Sequence, residues 1–184
     1  MKPVNVSKNF WEMPELTHIN RIPAHSCHIP FQSREQALSG ERSDSEKFIS
    51  LDGTWKFNLY EKPEMAVLEN PPSWESINVP ANWTMEGFWD KPIYTNVQMP
   101  WENNYPLVPE ENPTGVYERS FSLNADWASR RTVLHFGGVE SYFEVYINGV
   151  FAGMAKDCRL PSEFDISSYV KEGANTLTVK VLRW

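Results

Sequence analysis

The chain has 184 residues, of which 41% are hydrophobic and 22% charged, with a net charge of −7 from 17 basic and 24 acidic side chains. That length suits one domain with a real core. The acidic balance and the lack of any basic run exclude nucleic acid as an expected partner, and no apolar stretch is long enough to span a bilayer as a helix. Cys27 and Cys158 lie far apart in unlike contexts, so neither a disulfide framework nor a zinc site is expected. The opening Met1 to Lys8 lacks the apolar core of a signal peptide, which favours a cytoplasmic location.

Residues 1 to about 46 show no sustained period. Ile22 to Phe31 is broken by Pro23 and Pro30, which deny the backbone a regular ladder. The expectation is an extended arm, more mobile than the rest, with one helical turn at Arg34 to Ala37 and an exposed linker over Gly40 to Glu46. Trp11, Ile22 and Phe31 are the residues through which such an arm would dock.

From Phe48 the texture changes. Trp55, Phe57 and Leu59 alternate with Lys56, Asn58 and Tyr60, the period of a half-buried strand. Ile77 to Val79 is a short strand stopped by Pro80. Between Pro80 and Gly115 the chain carries Trp83, Phe88, Trp89, Tyr94, Trp101 and Tyr105 among prolines and glycines. So many rings predict an ordered loop region rather than a linker.

Alternation resumes over Val116 to Leu123, Thr132 to Phe136 and Phe143 to Ile147. Asn148-Gly149 suits a type I′ turn, whose two central residues need positive φ, and Val150 and Phe151 begin the return strand. Ile166 to Val170 fits one helical turn, Gly173 to Asn175 a turn, and Leu177 to Val181 a last strand. Many short strands with turn signals every 8 to 12 residues predict an all-β sandwich or barrel. The sequence stops at Trp184 directly after a strand, as a cut domain boundary would.

Asp157 to Asp165 is the most informative stretch. It packs three acids, an arginine and a cysteine around Pro161, directly after a strand-like run. Such a segment reads as a polar loop at a strand end, where a scaffold presents functional groups to solvent. Arg159 and Glu163 are expected to pair and fix it.

Several motifs carry a family resemblance. They are Trp11-Glu12-Met13-Pro14, Ile19 to His25, Leu51 to Phe57, Val79 to Trp83, Pro92 to Val97, Glu111 to Tyr117, and the acidic segment. In this order the chain resembles, over roughly residues 9 to 184, the amino-terminal domain of large β-galactosidases of glycoside hydrolase family 2. The tryptophan and Val-Pro motifs are shared with β-glucuronidases and β-mannosidases. Pro92 to Val97 and Asp157 to Asp165 are more particular to β-galactosidases. The resemblance departs at Cys158, where serine is commoner, and at Met99, where tyrosine is.

The resemblance implies a jelly-roll β-sandwich of the galactose-binding type over residues 47–184, preceded by the arm at 1–46. It implies the first domain of a larger retaining enzyme, to whose TIM-barrel site this domain lends Asn96 and Asp157 as sugar contacts. Asp157 would also help hold a sodium ion in the full-length enzyme. Magnesium is the second ion, and neither is required by this domain alone. The implied partners are a β-galactoside, the remaining domains of the enzyme and further copies in a homo-oligomer.

The chemistry of the residues is compatible. A carboxylate can accept hydrogen bonds from neighbouring sugar hydroxyls and can ligate a hard cation. The plain alternatives are that Asp157 caps its loop or pairs with Arg159, and that Asn96 makes an Asx-turn. Retaining hydrolysis needs two carboxyls about 5–5.5 Å apart. Glu163 and Asp165 read instead as a turn cap and a surface charge, so no catalytic residue is assigned here. His135 reads as a strand residue, and His18, His25 and His28 lack metal-like spacing. The rival readings are a free-standing carbohydrate-binding module whose exposed tryptophans stack on sugar, and the matching domain of a β-glucuronidase or β-mannosidase.

Overall fold

A computed structural model of the chain describes residues 9–96, 99, 101–102, 107–157 and 159–184. The expected all-β architecture is present, a jelly-roll sandwich of two unequal antiparallel sheets. In chain order the strands are β1 (His18–Ile19), β2 (Gly53–Tyr60), β3 (Glu75–Val79), β4 (Thr114–Leu123), β5 (Val133–Phe136), β6 (Tyr142–Ile147), β7 (Val150–Lys156), β8 (Ser162–Asp165) and β9 (Gly173–Leu182). The large sheet runs β1-β7-β6-β9-β4-β2-β3, and β5 pairs with β8 in the small one. Short helices α1 (Arg34–Ser39) and α2 (Ala125–Ala128) begin at Ser33 and Asn124, whose side-chain oxygens accept the N–H of Gln36 and Trp127.

The core lies between the sheets. Phe57, Val145, Ile147, Leu177 and Val179 line the inner face of the large sheet, and Leu134 and Phe164 face them from β5 and β8. Phe136, Phe143 and Phe164 meet edge-to-face with centroids 5.0–6.1 Å apart, an arrangement that adds to their burial. The predicted hairpin is formed. Asn148 and Gly149 have φ of 52° and 78° and join β6 to β7.

The expected arm is not free over its first described part: residues 10–22 are docked on the sandwich. Phe10 is buried with Tyr142, Met154 and Leu182 on the outer face of the large sheet, and Trp11, Met13, Leu16 and Ile19 pack around them. β1 adds to the edge of β7, with His18 opposite Ala155 and Ile19 opposite Met154. The apolar residues of the arm drive this, and short extended pairings supply the hydrogen bonds that its prolines forbid elsewhere.

The acidic segment also differs from its expectation. Only its first part is a loop, because Ser162–Asp165 forms β8, with Ser162 and Phe164 buried and Glu163 and Asp165 on the other face. Phe164 outweighed the polarity of its neighbours because period 2 lets one strand be core and solvent-facing at once. Gly173 to Asn175, read as a turn, opens β9 instead. The Asn175 amide gives that end its anchor through the carbonyls of Lys171 and Gly173.

Candidate sugar-contact rim

The turn from β7 to β8 presents Asp157. Its backbone has φ of 124°, a region that a non-glycine residue seldom occupies. Such strain persists where surrounding contacts over-determine it, and it gathers at ligand sites. Oδ1 of Asp157 accepts the backbone N–H of Arg159 at 3.2 Å, and Oδ2 lies 4.0 Å from Nη1 of Arg21. The carboxylate is exposed and keeps room for further donors. Of the plain alternatives for Asp157, the cap is made, through the Arg159 backbone N–H, while its ion-pair partner is Arg21 rather than Arg159.

The expected pair between Arg159 and Glu163 is not made. Glu163 instead receives Nε2 of His25 on one oxygen at 2.7 Å and Nδ1 of His135 on the other at 2.8 Å. Neighbours four residues apart on a bending chain lost to residues that the fold brings from the arm and from β5. Burial pushes the Glu163 carboxyl up, but the hydrogen bonds and charge of the two histidines outweigh it and hold it below its ordinary value. His25 is raised, first by the Ser26 carbonyl on Nδ1 at 2.8 Å and then by Glu163. Both partners of His25 are acceptors, so only the imidazolium satisfies both.

The turn cap is Asp165, expected from the sequence to be a surface charge. Its Oδ1 accepts the N–H and the hydroxyl of Ser167, and its Oδ2 accepts from Arg131 at 3.0 Å. The Ser167 hydroxyl is the main reason its pKa is lowered. Both carboxylates are thus engaged by partners within the domain.

Asn96 is exposed in the loop region before β4. Residues 97, 98, 100 and 103–106 and Cys158 lie outside the described residues, so the departure at Cys158 has no structural account. Met99 is exposed, as are Met85, Trp89, Ile93, Tyr94 and Leu107 of the same region. Trp83 is buried and donates Nε1–H to Asp90 at 2.6 Å, and Asp90 also pairs with Arg183, tying the loop to the end of β9. Phe10, Trp55, Phe57, Trp83, Tyr142, Phe143 and Phe164 are buried, other rings pack against the core at partial burial, and Trp89 and Tyr94 are exposed.

Sequence reasoning missed Arg21 and His25 as rim residues. The signal for Arg21 was a lone cation between Ile19 and Ile22 in an otherwise docking segment. Nothing local could signal His25, whose partner lies 138 residues away. Among the described residues no three His, Cys, Asp or Glu side chains gather as a metal site, and no helix is long and apolar enough to cross a membrane.

The chain folds as an antiparallel β-sandwich with an aromatic-rich core and polar groups exposed on its connecting turns. Its sequence assigns it further: residues 48–184 match the profile of the glycosyl hydrolases family 2, sugar binding domain, and the chain belongs to that family. It is 42% identical over 180 residues to a β-galactosidase of Psychromonas ingrahamii, covering 95% of this chain and 17% of that protein. A β-galactosidase of Priestia megaterium is 39% identical over 193 residues, with 99% and 19% covered. The chain thus spans less than a fifth of the length of these relatives. Among solved structures, a β-glucuronidase from Ruminococcus gnavus in complex with D-glucaro 1,5-lactone superposes with a TM-score of 0.55 at 26% identity, covering 73% of this chain and 21% of that one. A Bifidobacterium dentium β-glucuronidase complexed with coumarin-3-O-glucuronide gives 0.53 at 27%, with 72% and 19% covered.

Proposed function

We propose that this chain is the amino-terminal sugar-contacting domain of a β-galactosidase and that it works by presenting Asp157 and Asn96 to a β-galactoside bound on a neighbouring catalytic domain. The observation that carries the reading is the exposed Asp157 carboxylate, held at a positive φ on a braced turn, in a chain whose full-length relatives are named β-galactosidase. A carboxylate there accepts hydrogen bonds from two sugar hydroxyls, and contacts that tighten toward the oxocarbenium-like transition state raise the rate rather than merely the affinity. The exposed side chains of Trp89, Ile93, Tyr94 and Leu107 supply an apolar surface for the rest of the enzyme and for contacts between its copies.

The acid/base and the nucleophile belong to that catalytic domain, since Glu163 and Asp165 are spent on histidines, an arginine and a serine. A hard cation fits Asp157 as one oxygen ligand, and its remaining ligands would come from outside this chain. Sodium is the proposed ion, with magnesium the second candidate. When bound, the ion fixes the carboxylate and neighbouring sugar oxygens by charge. Solved neighbours are β-glucuronidases, but their identity to this chain is well below that of the β-galactosidases, which favours a galactoside over a glucuronide.

The test is kcat/KM of the full-length enzyme with Asp157→Ala and with Asp157→Asn, which keeps the side-chain shape while removing its charge. Losing a charged hydrogen-bond partner should lower kcat/KM at least about tenfold, with the melting temperature near that of the parent. Near-normal activity with a large fall in melting temperature would make Asp157 a structural anchor and end the reading.

A further inference from the structure

The arm touches both stems of the turn that carries Asp157. On the β7 side, the Lys156 N–H donates to the Thr17 carbonyl at 3.0 Å and Nζ of Lys156 donates to the Met13 carbonyl at 2.7 Å. The chain then turns at Asn20, with φ of 58°, whose side-chain amide donates to the Ala152 carbonyl at 2.9 Å. On the β8 side, Arg21 bridges Phe164, and the Ile22 N–H donates to the Glu163 carbonyl at 2.8 Å. Residues 17 to 22 thus stitch the large sheet to the small one across the base of a single turn.

From that stitch one side chain enters the turn itself. Arg21 donates from Nη2 to the Pro161 carbonyl at 2.9 Å, and its Nη1 lies 4.0 Å from Oδ2 of Asp157. Its side chain is 12% exposed while that of Asp157 is 37% exposed, so the guanidinium sits beneath the carboxylate. A planar fork holds a backbone carbonyl with one nitrogen and faces a carboxylate with the other in a fixed geometry, whereas a lysine offers its donors from one point on a flexible stem. The contact leaves the outer side of Asp157 open.

We propose that Arg21 is a positioning residue for sugar hydrolysis, and that the arm's function is to hold the Asp157 carboxylate in its strained, outward-facing geometry. This rests on the reading of Asp157 as a sugar contact. Arg21 fixes the far end of the turn through Pro161 and sets the direction of the carboxylate by charge, so the turn does not relax when sugar is absent. The ordering is built in before substrate arrives, and binding energy is not used to achieve it.

Arg21→Ala, Arg21→Lys, Asp157→Asn and the double variant Arg21→Ala/Asp157→Asn in the full-length enzyme test this. Steady-state kinetics on a chromogenic β-galactoside is set beside hydrogen exchange of peptides covering 156–162. Arg21→Ala should lower kcat/KM about tenfold, with Arg21→Lys intermediate. Exchange should rise in the 156–162 peptides and stay unchanged in β4 and β9. In the Asp157→Asn background the Arg21→Ala effect should largely vanish, because the two act as one unit. Unchanged exchange in the turn, or an Arg21→Ala loss that multiplies fully with that of Asp157→Asn, overturns the proposal. If the turn loosens but Asp157→Asn leaves activity normal, the clamp stands as geometry and the sugar-contact reading falls.

Discussion

The two halves of the large sheet solve burial differently. On the half made of β2 and β3 the described residues cover only the inner face, so Trp55 and Phe57 are buried while Lys56 between them is exposed. On the half made of β6, β7 and β9 both faces are covered, the inner by β5 and β8 and the outer by the arm. There the outer-face residues Tyr142, Glu144, Met154, Lys180 and Leu182 are buried as well. Alternation is thus a reading of one covered face. A second layer makes polar residues in the "out" positions into interior ones, and each then needs a partner.

Those partners are present. Glu144 lies opposite Lys180 in the register and accepts the hydroxyls of Tyr142 and Tyr146, each at 2.7 Å. Nζ of Lys180 sits 4.6 Å from the Trp11 ring. Desolvation lowers the Lys180 pKa, with the charge of Glu144 acting against it, and burial ahead of that carboxylate pushes both tyrosines up.

The largest expected effect breaks this covered layer. Glu144→Ala strands two tyrosine hydroxyls and removes the carboxylate opposite Lys180, and chemical denaturation should show a loss of about 1–3 kcal/mol for each stranded hydroxyl. A loss under about 1 kcal/mol would mean that water reaches the outer face and that the arm covers little. Phe10→Ala, which removes the arm's buried ring, should cost about 3 kcal/mol. It should also speed amide exchange in β1 while sparing β2 and β3, and equal acceleration in both halves would erase the distinction between them.

A smaller effect concerns pH. The folded state raises His25 above its ordinary 6.5, so its contribution is complete below that value and is lost as pH rises through the folded pKa. Glu163 is held below its ordinary 4.5, so its contribution is complete above 4.5 and fades as pH falls through the folded pKa. Between these values both groups are charged and the arm's grip on β8 is tightest. A proton NMR titration should give His25 a pKa above 6.5 that falls in Glu163→Gln. An unmoved titration would detach this latch from the arm. The smallest effect is on the one-faced half. Lys56→Ala breaks the exposed 2.7 Å pair with Glu118 and should change stability by less than about 1 kcal/mol. A larger loss would show that this face is also covered, by something outside the chain.

Much of the fold was legible in residues close together. Trp55-Lys56-Phe57 announced β2, Asn148-Gly149 the hairpin, and Leu177 to Val181 the last strand, because period and turn chemistry are local. The polar turn at Asp157 was legible too, as a run of acids around a proline. Glu163 was visible as a charge, but its histidine partners were not. β8 was hidden by its acids, and α2, capped by Asn124, was too short to show a helical period.

The sequence by itself determined the strand pattern, the hairpin and the family, since these rest on spacing between neighbours. Only the tertiary structure decided that the arm docks, that Glu144 and Lys180 are interior, and that Arg21 lies under Asp157. Those outcomes join residues more than a hundred positions apart or depend on which face a second layer covers, and no local spacing carries that information.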